Sequence, residues 1–194
     1  TNDTTRATAL TTQDGIYVKS GDATRRYLGT IYLDGSKQCE DSKARRMMWN
    51  LYNRVDRSMR VTEATTSWTY TTATLRQARA SAANQLEFVR GLDEDAVLAQ
   101  IHAVAFNTSI GVSLSVSIGL DSTSTTSTDC QSVMVQTPVG SYYTIISCAY
   151  RGLPGLGRHT LVWLELSTAS GTTTWIGTVA SNNVYSGISG GLRA

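Results

Sequence analysis

Hydrophobic and polar residues alternate along much of this 194-residue chain, and a period of two predicts β-strands. The clearest case is the segment GVSLSVSIGL, in which Val112, Leu114, Val116 and Ile118 alternate with serines and glycines. This alternation is typical of an antiparallel sheet that packs one face on a core and turns the other face to water. The segment therefore predicts a strand with one apolar and one hydroxyl-bearing face.

Similar segments, separated by turn-forming residues, continue through the chain. The run 96–107 has enough alanine and leucine for a helix, but its apolar residues from Val97 to Ala105 share one parity, which favours a strand. The other predicted strands are GIYVKS (15–20), RRYLGTIYL (25–33), MRVTEA (59–64), SWTYTT (67–72), QLEFVRGL (85–92), SVMVQT (132–137), YYTIISCAYRG (142–152), HTLVWLELS (159–167) and TTTWIGT (172–178).

The pattern changes after Asp41. Ser42 is a suitable helix cap, and Ala44, Met47 and Met48 recur at helical spacing, so this stretch predicts a short helix of about two turns. The residues NLYNRV that follow alternate again and predict a strand. The whole chain, 1–194, is therefore expected to form a single all-β domain, an antiparallel, jelly-roll-like β-sandwich with one short helix. Because the chain starts without methionine, we interpret it as a processed product or the C-terminal portion of a longer protein.

Composition supports a strand-rich protein with a hydroxylated surface. The chain has 28 Thr and 21 Ser, whereas charged residues make up only 16%, and threonine fits a pleated sheet well. The net charge of +2 is too small to indicate a polyanionic partner from the overall field. Arginine outnumbers lysine fourteen to three, which favours forked, partly buried pairs with carboxylates.

One segment, 39–60, is dense in basic and aromatic residues; we call it the basic segment. It holds five of the arginines, and acidic residues such as Asp41 and Asp56 interleave with them. This mixture favours ion pairs that fix the framework or a subunit interface over an open nucleic acid site, which would need unpaired arginines on one face. The predicted framework or interface residues are Arg45, Arg46, Trp49, Tyr52, Arg54 and Arg57.

Little in the chain indicates catalysis or a metal site. No serine occupies a strained Gly-x-Ser-x-Gly elbow, and the segment DSTSTTSTD (121–129) lacks the pattern of a calcium loop, which predicts an exposed loop instead. The three cysteines have no metal-type spacing and are expected as three thiols, or as one disulfide and a thiol.

We expect no enzyme activity, no cofactor and no metal. No apolar run approaches the ~20 residues of a membrane helix.

Several segments carry a resemblance to a known group of proteins. RRYLGT (25–30), the pattern within EDSKARRMMWNLYNRV (40–55), SWTYTTATLRQA (67–78) and GLGRHTLVWLE (155–165) resemble tailed-phage and prophage virion proteins of the tail-fibre or minor structural type. The resemblance covers essentially the whole chain. It implies a multimeric protein of the virion surface, as fibre, spike or head decoration, and it brings no catalytic motif to any position here.

The expected function is thus structural: a homotrimer in the virion that contacts other virion proteins, with no membrane or nucleic acid partner. Tyr142 and Tyr143 lie beside turns and are candidates for stacking on a host surface glycan. Two alternatives stay open. A virion-associated glycan-degrading enzyme would use a carboxylate pair such as Glu63 and Glu165, and a nucleic acid-contacting coat protein would use Arg45 and Arg46.

Overall fold

The computed structural model describes residues 8–137 and 142–194, and nearly all regular structure in them is β. The all-β, sandwich-like prediction is confirmed. The strands are β1 (Leu10–Gln13), β2 (Ile16–Lys19), β3 (Asp22–Arg26), β4 (Gly29–Ile31), β5 (Arg45–Arg46), β6 (Met48–Asn50), β7 (Asp56–Thr62), β8 (Ser67–Tyr70), β9 (Arg76–Gln77), β10 (Gln85–Arg90), β11 (Val97–Asn107), β12 (Ser113–Leu120), β13 (Cys130–Ser132), β14 (Met134–Gln136), β15 (Thr144–Gly152), β16 (Gly157–Leu166), β17 (Thr173–Ile176), β18 (Thr178–Val179), β19 (Val184–Tyr185) and β20 (Gly187–Arg193).

The first large sheet has six strands in the order β14-β12-β16-β10-β5, and β9 also pairs with β16. Its centre is β16, which pairs with β12 along one edge and with β10 and then β9 along the other. All of these pairs are antiparallel. The exception in the sheet is β5, which runs parallel to β10 and brings Arg45 opposite Glu87.

The second large sheet has seven strands and is organised around β11, which is 11 residues long. β15 pairs with β11 along residues 97–105. The opposite edge of β11 is shared by two strands in tandem, since β20 pairs along 98–102 and β17 along 104–107. β7 then extends the sheet beyond β20, and β8 extends it beyond β17. Small sheets, β1-β2-β3, β4-β6 and β18-β19, complete the fold.

The core lies between the two large sheets and follows the predicted parity. Every second residue of β11 is buried from Val97 to Asn107, and Leu114, Val116 and Ile118 of β12 are fully buried. Tryptophans link the sheets: the ring of Trp68 on β8 stands edge-on to Trp163 on β16, with centroids 5.9 Å apart. Aromatic pairs of this kind add to the free energy gained by burying their apolar area.

Two predictions for the basic segment are wrong. No helix follows Ser42; the chain there forms β5 and β6, and the helical elements in the described ranges are two short 3-10 turns, Ala78–Ala80 and Ala180–Asn182. Helical spacing was misleading because pairing of β5 with β10 overrides a local propensity of a few tenths of a kcal/mol per residue. The predicted strand at 50–55 is also absent, because the side-chain oxygen of Asn50 accepts hydrogen bonds from the backbone of Tyr52 and Asn53 and bends the chain.

The segment 121–129 connects the six-stranded sheet to the seven-stranded sheet and is largely exposed, as predicted. It also folds back on β12: the Ser117 and Thr126 hydroxyls lie 2.8 Å apart, and Ser117 is buried. The serine face of β12 is therefore partly covered rather than open to water throughout. The three cysteines are free thiols. The extent of the domain, 1–194, stays a prediction.

Leu114 provides a direct check on the packing between the sheets. Leu114→Ala removes a fully buried side chain and is expected to lower the free energy of unfolding by about 3 kcal/mol, because the cavity closes only in part. Urea unfolding followed by tryptophan fluorescence measures the change. Ile110→Ala is the control, since Ile110 is 70% exposed, and its effect should stay below about 0.5 kcal/mol. Equal effects of the two variants would contradict the described core.

Candidate functional site

A wide, open groove of about 990 Å³ crosses the outer face of the seven-stranded sheet. Its floor and walls come from β13, β15, β11, β20 and β7, and the loop that carries Lys43 forms one margin. These strands use alternate side chains for the core, so the remaining side chains point away from the core and into the groove. Its volume is at the upper end of the range for small-molecule pockets.

The strand register arranges the groove side chains in two rows. In the first row Gln100 of β11 stands between Ala149 and Ser189, Gln131 lies beyond Ala149, and Arg60 lies beyond Ser189. Side-chain amides and hydroxyls on this row can both donate and accept hydrogen bonds. The row therefore presents groups suited to a polar, hydroxyl-rich ligand.

The second row has a position without a side chain, Gly191. Leu98 of β11 lies between Arg151 and Gly191, and Ser58 lies beyond Gly191. A Cβ atom added at Gly191 would meet the carbonyl oxygen of Arg57 at 3.4 Å, an ordinary contact. The strand backbone thus tolerates a side chain at Gly191, and its absence there keeps the groove deep.

Cationic groups dominate the groove margins. Lys43, Arg60 and Arg151 line it, and none of them takes part in an ion pair within residues 8–137 and 142–194. The lining also holds one carboxylate, Asp129. Burial, and to a smaller extent the charge of Asp129, raises the pKa of the neighbouring Tyr150 to about 12, so this phenol stays protonated. The groove lining carries a net positive charge.

Most arginines of the basic segment are in ion pairs. Arg45 Nε lies 3.1 Å from Glu87 Oε1, and Arg45 Nη1 lies 3.2 Å from Glu40. Asp41 joins two further arginines, with one carboxylate oxygen 3.2 Å from Arg46 and the other 3.1 Å from Arg57. These pairs tie the segment to itself and to β10.

Arg54 links the basic segment to another part of the chain. Its Nη1 lies 2.6 Å from Asp95 and 2.9 Å from Glu94, and the guanidinium carbon lies 5.4 Å from the ring centroid of Trp49. Trp49 itself is buried and stacks with Tyr27. The structure thus places Arg54 between the Trp49 ring and the acidic residues Glu94 and Asp95, which precede β11.

Two residues of the basic segment lie differently from what its sequence indicates. Met48, which helical spacing grouped with Met47, is 45% exposed, because strand alternation in β6 turns it outward. Tyr52, which follows β6, is also exposed. Arg60 is the fifth arginine of the segment and is the one that reaches the groove. Sequence alone gave no signal that separates Arg60 from the other four, because the distinction arises from the register of β7 against β20.

Tyr142 and Tyr143 are 64% and 67% exposed. The Tyr143 ring stands edge-on to Phe106, with centroids 5.2 Å apart. Phe106 belongs to the same parity of β11 as Gln100 and Leu98, so this aromatic pair lies on the groove face of the sheet. Six residues of strand, roughly 20 Å, separate Phe106 from Gln100. The predicted glycan-contact residues therefore share a sheet face with the groove but are not part of its lining.

The carboxylates considered for hydrolysis are buried elsewhere. Glu165 is completely buried and accepts hydrogen bonds from Trp68 Nε1 and Arg76 Nε, each at 2.7 Å. Glu63 is 5% exposed and binds Arg79 and Asn84. Neither lines the groove. Both carboxylates serve as acceptors that organise the region around the 3-10 turn Ala78–Ala80.

His159 is also buried, and its Nδ1 lies 2.8 Å from Asp121 Oδ2. Burial opposes ionisation of Asp121, but hydrogen bonds from His159 and the Thr160 backbone outweigh it and lower the pKa of this carboxyl. The contact fixes the start of the 121–129 segment. Within residues 8–137 and 142–194 no three His, Cys, Asp or Glu side chains cluster as a metal site would require, and no helix there is long and apolar enough to cross a membrane.

Comparison with known proteins assigns no family to the chain. No protein-family model matches the chain, and a search of the curated proteins finds no match.

Glu87 is the centre of the ion-pair framework and gives a pH-dependent prediction. Its side chain is 7% exposed and binds Arg45 and Arg158. Burial opposes ionisation, but the hydrogen bonds from Arg158 and Gln85 and the charge of Arg45 outweigh it and lower the pKa of Glu87. A lowered pKa means that the ionised carboxylate stabilises the fold above the usual glutamate range and loses this effect as pH falls through the folded-state value.

Glu87→Gln is therefore expected to lower the free energy of unfolding by about 2 kcal/mol at pH 7, because two arginines lose a shared buried partner. The difference from the unchanged protein should shrink as pH falls below about 4.5, the usual glutamate value. Urea unfolding at a series of pH values measures this. Glu40→Gln, which removes an exposed partner of Arg45, is the control and should cost less than about 1 kcal/mol. A Glu87→Gln effect independent of pH would contradict the framework role.

Proposed function

We propose that the protein is a structural component of a bacteriophage virion surface, a fibre, spike or decoration, and that its groove binds a host surface glycan. The observation that carries the glycan part is the groove itself. It places two glutamine amides, serine hydroxyls and cations that have no ion pair among the described residues on one open face. Sugars present many hydroxyls, which pair with side chains that can both donate and accept.

The virion part of the proposal is supported by the resemblance of the sequence segments, together with a strand-rich fold. A sandwich exposes hydroxylated strand faces without long helices, which suits a rigid surface module. Multimer formation, expected as a homotrimer, is supported by exposed apolar residues on the small β4-β6 sheet. Ile31 and Met48 stand opposite each other there at 55% and 45% exposure, and Leu28 nearby is 67% exposed. Apolar residues clustered in this way mark protein contacts.

The two alternatives have less support. A retaining or inverting glycosidase needs two carboxylates that flank a sugar in an accessible cleft, whereas Glu63 and Glu165 are buried and already bound by arginine and other donors. A nucleic acid-contacting coat protein would use Arg45 and Arg46 on phosphates, but both arginines are paired with carboxylates. The observations therefore favour a binding module over either alternative.

Filling the groove tests the glycan part. Gly191→Leu places a side chain between Leu98 and Ser58 in a space that has room for it. We expect binding to an array of bacterial surface polysaccharides to fall at least tenfold, with the thermal unfolding midpoint little changed. Thr69→Leu, at an exposed position of β8 on the same face, is the matched control and should bind normally. Undiminished binding by Gly191→Leu, or no binding by the unchanged protein, would contradict a glycan-binding groove.

The virion part has its own test. Particles produced from a genome that encodes this chain should carry it on their surface, visible by immunogold labelling and, in reconstructions of the particle, as a symmetric multimer. The position within the particle would also separate head from tail. Particles that lack the chain, with the protein found only in the cell lysate, would contradict a structural role in the virion.

A further inference from the structure

We infer that the groove selects acidic polysaccharides, polymers that carry carboxylates along their length, over neutral ones. This inference rests on the proposed glycan-binding function and names the class of ligand. It starts from the distribution of paired and unpaired charge on the protein. Nine arginines have carboxylate partners among the described residues, and they are Arg25, Arg45, Arg46, Arg54, Arg57, Arg76, Arg79, Arg90 and Arg158.

The groove is different because its cations have no such partners. Lys43, Arg60 and Arg151 line it without an ion pair in the described ranges, against the single carboxylate of Asp129. Exposed cations that converge on one concave surface concentrate anionic ligands there. A neutral glycan has no negative group to pair with these cations. A carboxylate on an acidic glycan can accept a forked hydrogen bond from an arginine.

The positions of the cations suit a polymer that runs across the strands. Arg60 is on β7 and Arg151 is on β15, with β20 and β11 between them. Three strand spacings and one step between rows place the two Cα atoms roughly 16 Å apart. An extended chain with repeated carboxylates can pair with both side chains at once, with a separate carboxylate on each arginine. The amides of Gln100 and Gln131 lie between and beside them and suit the sugar hydroxyls.

Nucleic acid is a polymer with repeated negative charge as well, but the groove lacks what single strands require. Stacking of bases on exposed aromatic rings supplies much of that binding. The aromatic residue in the described lining is Tyr150, which is 2% exposed. The groove therefore offers charge and hydroxyl-binding groups without a stacking surface, which favours an acidic glycan.

A pair of polymers that differ only in charge tests the inference. Polygalacturonate carries a carboxylate on each sugar, and its fully methyl-esterified form has the same backbone without the charge. We expect the full-length chain to bind polygalacturonate at least tenfold more tightly at 0.1 M salt, measured by biolayer interferometry. The preference should weaken at 1 M salt, where the Debye length falls to about 3 Å.

Two double variants locate the effect. Arg60→Gln with Arg151→Gln should lower the affinity for polygalacturonate at least tenfold and reduce its preference over the esterified polymer to less than twofold. Arg25→Gln with Arg26→Gln removes the same charge from β3, where both residues are exposed and outside the groove lining, and should change affinity less than twofold. Circular dichroism and unfolding midpoints check that both variants fold.

Each other outcome has a defined meaning. Equal affinity for the two polymers, or loss with the Arg25 and Arg26 changes instead, overturns the acidic preference while leaving glycan binding by the groove intact. No binding of either polymer overturns the inference, and the array test on Gly191→Leu then decides the proposed function separately. Tighter binding of duplex DNA than of polygalacturonate, lost with the Arg60 and Arg151 changes, would replace the inferred ligand with nucleic acid.

Discussion

The alternation of side chains along β11 is the constraint on which both the core and the groove depend. One parity, from Val97 through Ala105, is buried between the sheets, and the other parity carries Leu98 and Gln100 into the groove. Because β11 pairs with β15 on one edge and with β20 and β17 on the other, its register also sets which neighbouring side chains stand beside those two. A slip by one residue would exchange the faces along the whole strand.

The basic residues also fall into two groups, those in framework ion pairs and those that line the groove. The basic segment is a dense run of arginines in sequence, yet in space Arg45, Arg46, Arg54 and Arg57 each lie against a carboxylate. They fix loops and the parallel strand β5 to the rest of the fold. Arg60 and Arg151 are far apart in sequence but lie on the same face of the sheet, with β20 and β11 between their strands. The density of arginine in the basic segment therefore does not identify the cations that line the groove.

Much of the fold could be predicted from sequence because a period of two is a strong local signal. The strands β11, β12, β15 and β16 follow the predicted segments closely. The stretch from Ser42 to Val55 was predicted wrongly in two places. Local hydrogen bonds to the Asn50 side chain bend the chain after β6, and β5 is decided by a partner distant in sequence, since Arg45 lies opposite Glu87. The groove was missed for the same reason: Gln100, Gly191 and Arg60 become neighbours only through cross-strand register, and none of them belongs to a recognisable motif.

Nuclear magnetic resonance titration with a short oligogalacturonate tests the central claim most directly, because it reports which backbone amides the ligand approaches. An acidic glycan in the groove predicts that shifts concentrate on β11, β20, β7 and β15, with Gln100, Ser189 and Arg60 among the largest, and that they saturate together. Shifts centred on Arg45 and Arg46, or on the aromatic end at Tyr143, would contradict the groove as the binding site and its unpaired arginines as the selective element.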